Sequence, residues 1–102
     1  MSLKLPSLQE RRSKIVRLQT FAPEPFDMVK EMNVTIEQDG EDFVASFVDA
    51  NVNCSGSSEK EVVEGLKELL LSRYDFLSKT PPEKLGPGPT KQIAVLREFI
   101  RR

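Results

Sequence analysis

Four carboxylates, Glu37, Asp39, Asp42 and Asp49, fall close together between runs of β-forming residues. Acids so spaced have two chemical uses. On converging strands they can hold a divalent cation, which needs carboxylate oxygens brought to one point. As a surface, they attract a cationic partner. Composition closes most other routes. The 102 residues contain no histidine and one cysteine, Cys54, which excludes Ser–His and Cys–His pairs, imidazole ligands, internal disulfides and Cys-rich zinc sites. Cys54 has no cation beside it in sequence to lower its pKa and reads as a small core residue. No cofactor is expected.

The net charge of −1 conceals a segregation. Residues 1–23 carry Lys4, Arg11, Arg12, Lys14 and Arg17 against Glu10, a net +4. Residues 24–64 carry eleven acids against Lys30 and Lys60, net −9, and residues 83–102 carry net +3. Two readings stay open. The basic ends, with Arg11, Arg12, Lys14 and Arg17 foremost, fold back on the acidic middle within one chain or across a dimer; or the acidic surface receives a basic protein. Nucleic acid is not the expected partner, because five cations without interleaved aromatics make a poor footprint. No apolar run approaches the roughly 20 residues that span a bilayer, and no continuous apolar stretch follows the N-terminal cations. Neither membrane insertion nor secretion is expected, and the cytoplasm is the expected location.

The elements that must position these acids are legible to different degrees. In 7–21, Ser7 and Glu10 have capping-box spacing for a short helix from Leu8, while Ile15, Val16, Leu18 and Phe21 equally suit an extended arm. Ala22-Pro23-Glu24-Pro25 breaks either one. From Met28 the period becomes two, with Met32, Val34 and Ile36 on one side, predicting a strand. Gly40 supplies the reversal into Phe43–Val48, a second strand; Val52–Ser55 is a short third. Ser58 and Glu61 have capping-box spacing, so the Glu59 and Glu61 carboxylates read as helix-start residues rather than an acid–base pair. Val62, Val63, Leu66, Leu69, Leu70, Tyr74 and Leu77 then form one helical stripe to about Ser78. Gly65 interrupts it at about 1 kcal/mol relative to Ala, which predicts a close neighbour. Leu71 and Phe76 flank the stripe and, with Phe99, form the expected self-association surface. Thr80-Pro81-Pro82-Glu83 suits a single turn and Leu85–Pro89 a stiff connector. Thr90 is then the expected cap of a final amphipathic helix bearing Ile93, Leu96, Phe99 and Ile100.

The runs Val34-Thr35-Ile36-Glu37-Gln38-Asp39-Gly40, Phe43-Val44-Ala45-Ser46-Phe47-Val48-Asp49 and Ser55-Gly56-Ser57-Ser58-Glu59-Lys60-Glu61 resemble, in order and spacing, the HicB-like antitoxin family over about residues 28–77. Val48 stands where the family pattern has proline, Val62 where alanine is common, and the Asp49–Gly56 connection is one residue shorter than the pattern. The resemblance implies a degraded RNase H-like fold, usually oligomeric, that binds and blocks a small basic RNA-cleaving toxin, with Glu37, Asp39, Asp42 and Asp49 as first candidates for contact. The short stretch after the long helix leads us to expect no DNA-binding domain. The expectation is thus an α+β fold: about three antiparallel strands packed by one long helix, plus a C-terminal amphipathic helix. It divides into a basic extension (1–22), a β-β-β-α module (23–79), and a connector with the last helix (80–102). The expected function is a non-catalytic, HicB-type protein-interaction module that forms a homo-oligomer, in the first instance a dimer, and takes a small basic toxin-like partner. The alternatives are an orphan dimerisation or structural module and, as the family's RNase H likeness implies, a weak metal-dependent nuclease, for which Glu37 and Asp49, on different predicted strands, would have to converge on a cation.

Overall fold

A computed structural model describes residues 11–22 and 24–101, without the side chains of Arg11 and Arg12. Ser7 and Glu10, the expected capping pair, and Arg102 lie outside the described residues. In chain order β1 (Arg11–Leu18) is followed by β2 (Asp27–Met28), β3 (Met32–Asp39), β4 (Asp42–Phe47), β5 (Val52–Gly56), α1 (Glu59–Lys79), α2 (Pro87–Phe99) and β6 (Ile100–Arg101). The molecule is α+β: an antiparallel sheet in the order β1-β3-β4-β5 carries the two helices, and β2 pairs with β6 in a separate ribbon. None of the described helices is long and apolar enough to cross a membrane.

Alternation along β3 buries Met32, Val34 and Ile36 and exposes Asn33, Glu37 and Asp39. Gly40 and Glu41 form the two-residue loop into β4, with Asp39 opposite Asp42. Gly40 adopts φ +67°, the first-position requirement of a type II′ turn, which glycine meets without steric cost. Between β4 and β5 a single 3-10 turn, Val48–Ala50, ends on Asn51 in the left-handed region (φ 57°, ψ 49°), where a short polar side chain is tolerated.

Of the two readings of 7–21, the described part takes the extended one, and Leu8 lies outside the described residues. β1 runs antiparallel to β3, with Val16 opposite Val34 and Leu18 opposite Met32, so the sheet has four strands where three were expected. Leu18 and Phe21 enter the same core as Ile93, Leu96, Phe99 and Ile100. Both ends of the described chain are thus built into one core.

Helix α1 begins as its cap requires. The Glu61 amide donates to Ser58 Oγ at 3.1 Å, but the Glu61 carboxylate accepts from the Ser57 amide and hydroxyl, both at 2.8 Å, one residue earlier than capping-box spacing implies. Val62, Leu66, Leu70 and Leu77 are buried, and Leu69, at the margin of the stripe, is 44% exposed. The neighbour demanded by Gly65 is Cys54: a Cβ at 65 would stand 2.5 Å from its Sγ.

After a 3-10 turn at Pro82–Lys84, α2 starts at Pro87 rather than after Thr90. The prolines at 87 and 89 sit in the first turn, where amides have no intrahelical acceptor and a fixed φ is already helical. Gly86 takes the capping position and accepts at its carbonyl from the Thr90 amide, 3.0 Å. The last helix docks through Phe99, edge-on to Phe47 at 5.1 Å, and through Gln92 Nε2, which donates to the Ala50 carbonyl at 2.7 Å. The ribbon of β2 and β6 locks its end, where the Val29 amide donates to the Phe99 carbonyl at 2.6 Å.

Candidate functional site

The two helices cover one face of the sheet and leave the other to solvent. Residues pointing away from the helices line up across the strands: Ser13, Glu37, Val44 and Ser55 in one row, Ile15, Thr35, Ser46 and Asn53 in the next. At the β3–β4 turn Asp39 and Asp42 close the acidic end. Glu37, Asp39 and Asp42 thus share a hollow of about 550 Å³ with Val44, Ser55 and Ser57. Strand alternation puts Glu37 and Asp39 on one side of β3, and the tight turn returns Asp42 beside Asp39. Directly opposed carboxylates disfavour strand pairing, while on its other side Asp39 stands opposite Arg11 of β1 in the register.

Asp49 is not part of that cluster. It follows β4 in the 3-10 turn and lines another hollow, with Asn51, Arg73 and Lys91. Glu37 is opposite Val44, five residues before Asp49, which puts the two acids on the order of 15 Å apart along the strand direction. They do not converge as the cation-binding reading required. Among the described residues no group of three or more His, Cys, Asp or Glu side chains could hold a metal ion.

The expected self-association residues separate in the same way. Leu71 and Phe99 are each 7% exposed and belong to the core, so neither is available to a second copy; Phe76 remains on the surface. The apolar surface expected beside α1 is thus in part core: Leu71 clusters with Phe21, while Phe76 stays exposed. Sequence reasoning missed a further hollow of about 350 Å³, lined by Phe21, Phe26 and Leu71 with Glu24 and Glu68. Its one signal was a pair of phenylalanines on either side of a proline break. It also missed Ile15, 69% exposed in mid-strand.

Of the basic residues, Lys14 Nζ reaches Glu59 Oε1 at 2.9 Å and Arg17 approaches Glu31 Oε1 at 4.0 Å. Arg11 stands opposite Asp39 and Arg12 opposite Gln38 in the register. Strand β1, the described part of the basic extension, therefore lies against the acidic middle of the same chain. The Lys14–Glu59 and Arg17–Glu31 pairs are solvent-exposed and contribute at most about 1 kcal/mol each. The Glu61 carboxyl is held below its ordinary value by the Ser57 amide first and the Ser57 hydroxyl second. It fills the start of α1 and is committed to the helix. Cys54, partly buried against Gly65, is likewise a packing residue.

Comparisons with protein-family models, with curated proteins and with solved structures find no match to this chain.

Proposed function

We propose that this chain is a non-catalytic protein-interaction module, similar to a HicB-type antitoxin without a DNA-binding domain of its own. Its uncovered sheet face receives a small basic protein. The observation that supports this most is the gathering of Glu37, Asp39 and Asp42 in one hollow on the face that the helices leave free. Carboxylates there raise the encounter rate with a cationic partner and set its orientation, an effect that weakens as salt screens it.

The test is affinity capture under native conditions, with the wild type and a Glu37→Lys/Asp42→Lys variant side by side. The wild type is expected to retain a small basic polypeptide that the variant loses and that elutes as salt rises. Equal capture by both forms would move the partner to another surface. The alternative of an orphan dimerisation module is favoured by a different observation, the outer edge of β1, with which no described strand pairs.

A further inference from the structure

We propose that two copies of this chain join through β1, antiparallel and with a two-fold axis beside Ile15, into one continuous eight-stranded sheet. The inference rests on the edge of β1 and not on the acidic hollow, so it stands or falls independently of the basic partner.

β1 is the terminal strand of the sheet, and among the described residues no strand pairs with its outer side. Eight residues make it as long as β3. A long edge with unpaired backbone groups is a template for another strand. At its middle Ile15, in a row of otherwise polar side chains, is 69% exposed. The usual protection of such an edge is charge, and β1 carries four cations. Yet Lys14 and Arg17 are paired with Glu59 and Glu31 of the same chain. The edge is less repulsive than its sequence suggests.

The register selects the occupant. Joining two edges antiparallel with the uncovered faces on one side opposes only residues that face the same way, because a slip of one turns every side chain over. An axis beside Lys14 sets Lys14 against its own copy and Arg11 against Arg17, which is unfavourable. An axis beside Ile15 sets Ile15 against Ile15, Lys14 against Val16, Ser13 against Arg17 and Arg12 against Leu18. No cation then stands directly opposite a cation, the like charges being left at the longer diagonal spacing, and the exposed isoleucines cover each other. The axis beside Val16 also avoids like charges but leaves fewer strand residues paired. The joint formed at Ile15 carries the two acidic hollows on one common surface.

A strand-to-strand joint of this length is at the small end of specific interfaces, so the dimer is expected to dissociate on dilution. Light scattering on the full chain should give twice the 11.6 kDa chain mass when concentrated. Ile15→Lys should reduce that to one chain mass while its circular dichroism stays that of the wild type. Mild oxidation should cross-link Ile15→Cys to itself. It should also cross-link a mixture of Ser13→Cys with Arg17→Cys, though neither of these alone; the wild type, with only Cys54, is the control. A single-chain mass at every concentration would overturn the proposal. So would a dimer that survives Ile15→Lys, or one in which Ile15→Cys stays reduced.

Discussion

On the helix side of the sheet, Met32, Val34, Ile36, Ala45 and Phe47 are closed to solvent. One residue along the same strands, Asn33, Thr35, Glu37, Val44 and Ser46 face away and meet no helix. Backbone, pairing and register are common to both sets, so the difference lies in packing alone. The covered face is constrained by volume, because interiors are filled at crystal-like density and each missing group leaves a cavity. The other face carries no such demand. Its acidic end tolerates Asp39 opposite Asp42, an arrangement that pairing energetics disfavour. Residues that the packing of the core does not constrain are where a binding role should be sought.

The largest effect should come from the covered face. Phe47 is 1% exposed and meets Phe99 edge-on, so Phe47→Ala removes a large side chain and unseats the last helix together. A loss of about 3–5 kcal/mol is expected in urea or thermal unfolding. A loss below about 1 kcal/mol would show that α2 is held by its ribbon instead, and the contrast between the faces would weaken.

Next in size is the contact between α1 and β5. Gly65→Ala should favour the isolated helix by about 1 kcal/mol, but its Cβ would lie 2.5 Å from Cys54 Sγ. The strain of overpacking outweighs the propensity gain, giving a net loss of about 1–2 kcal/mol. With Cys54→Ala in place, the nearest side-chain atom recedes to 3.9 Å, and the same substitution should become neutral or stabilising. A double-mutant cycle measures that change of sign. If Gly65→Ala stabilises the wild type, the close approach is not a constraint.

These cases also show which parts of the structure were legible in advance. The Ser58 cap and most of the α1 stripe depend on residues within a few turns, so local chemistry gave them away. Gly65 announced that something must lie close, yet its partner Cys54 is on another element. β1 was legible only as one of two readings, because its cations and its exposed Ile15 blur the alternation, and its partner β3 starts well down the chain. Pro87 and Pro89 read as breakers, whereas position decides: in a first turn they cost nothing. Leu71 and Phe99 looked like spare surface because their covers, Phe21 and Phe47, are distant in sequence. For the site, alternation and one tight turn sufficed to collect Glu37, Asp39 and Asp42. Asp49 was lost to a turn whose direction no local pattern encodes.

A smaller effect distinguishes a structural acid from the acids of the uncovered face. The folded Glu61 carboxyl titrates below its ordinary value near 4.5, owing to its hydrogen bonds from Ser57. Its contribution to stability is therefore present above that ordinary value and lost as pH falls through the lower folded one. The stability gap between wild type and Glu61→Gln should be constant near neutrality and close on acidification. A gap independent of pH would mean that the carboxylate does not hold the helix start.

The smallest change carries the contrast furthest. Asp42→Asn keeps the shape of the side chain and removes one of two like charges opposed across β3 and β4. Relief of that repulsion should raise stability by a few tenths of a kcal/mol, while salt lessens the gain by screening the wild type. The same substitution should weaken capture of a basic partner. An acid whose removal helps the fold and harms binding is retained for binding. A loss of stability above about 0.5 kcal/mol, beyond what surface substitutions usually cause, would instead make Asp42 a structural residue of the turn. The case for this face as a docking surface would then rest on Glu37 and Asp39 alone.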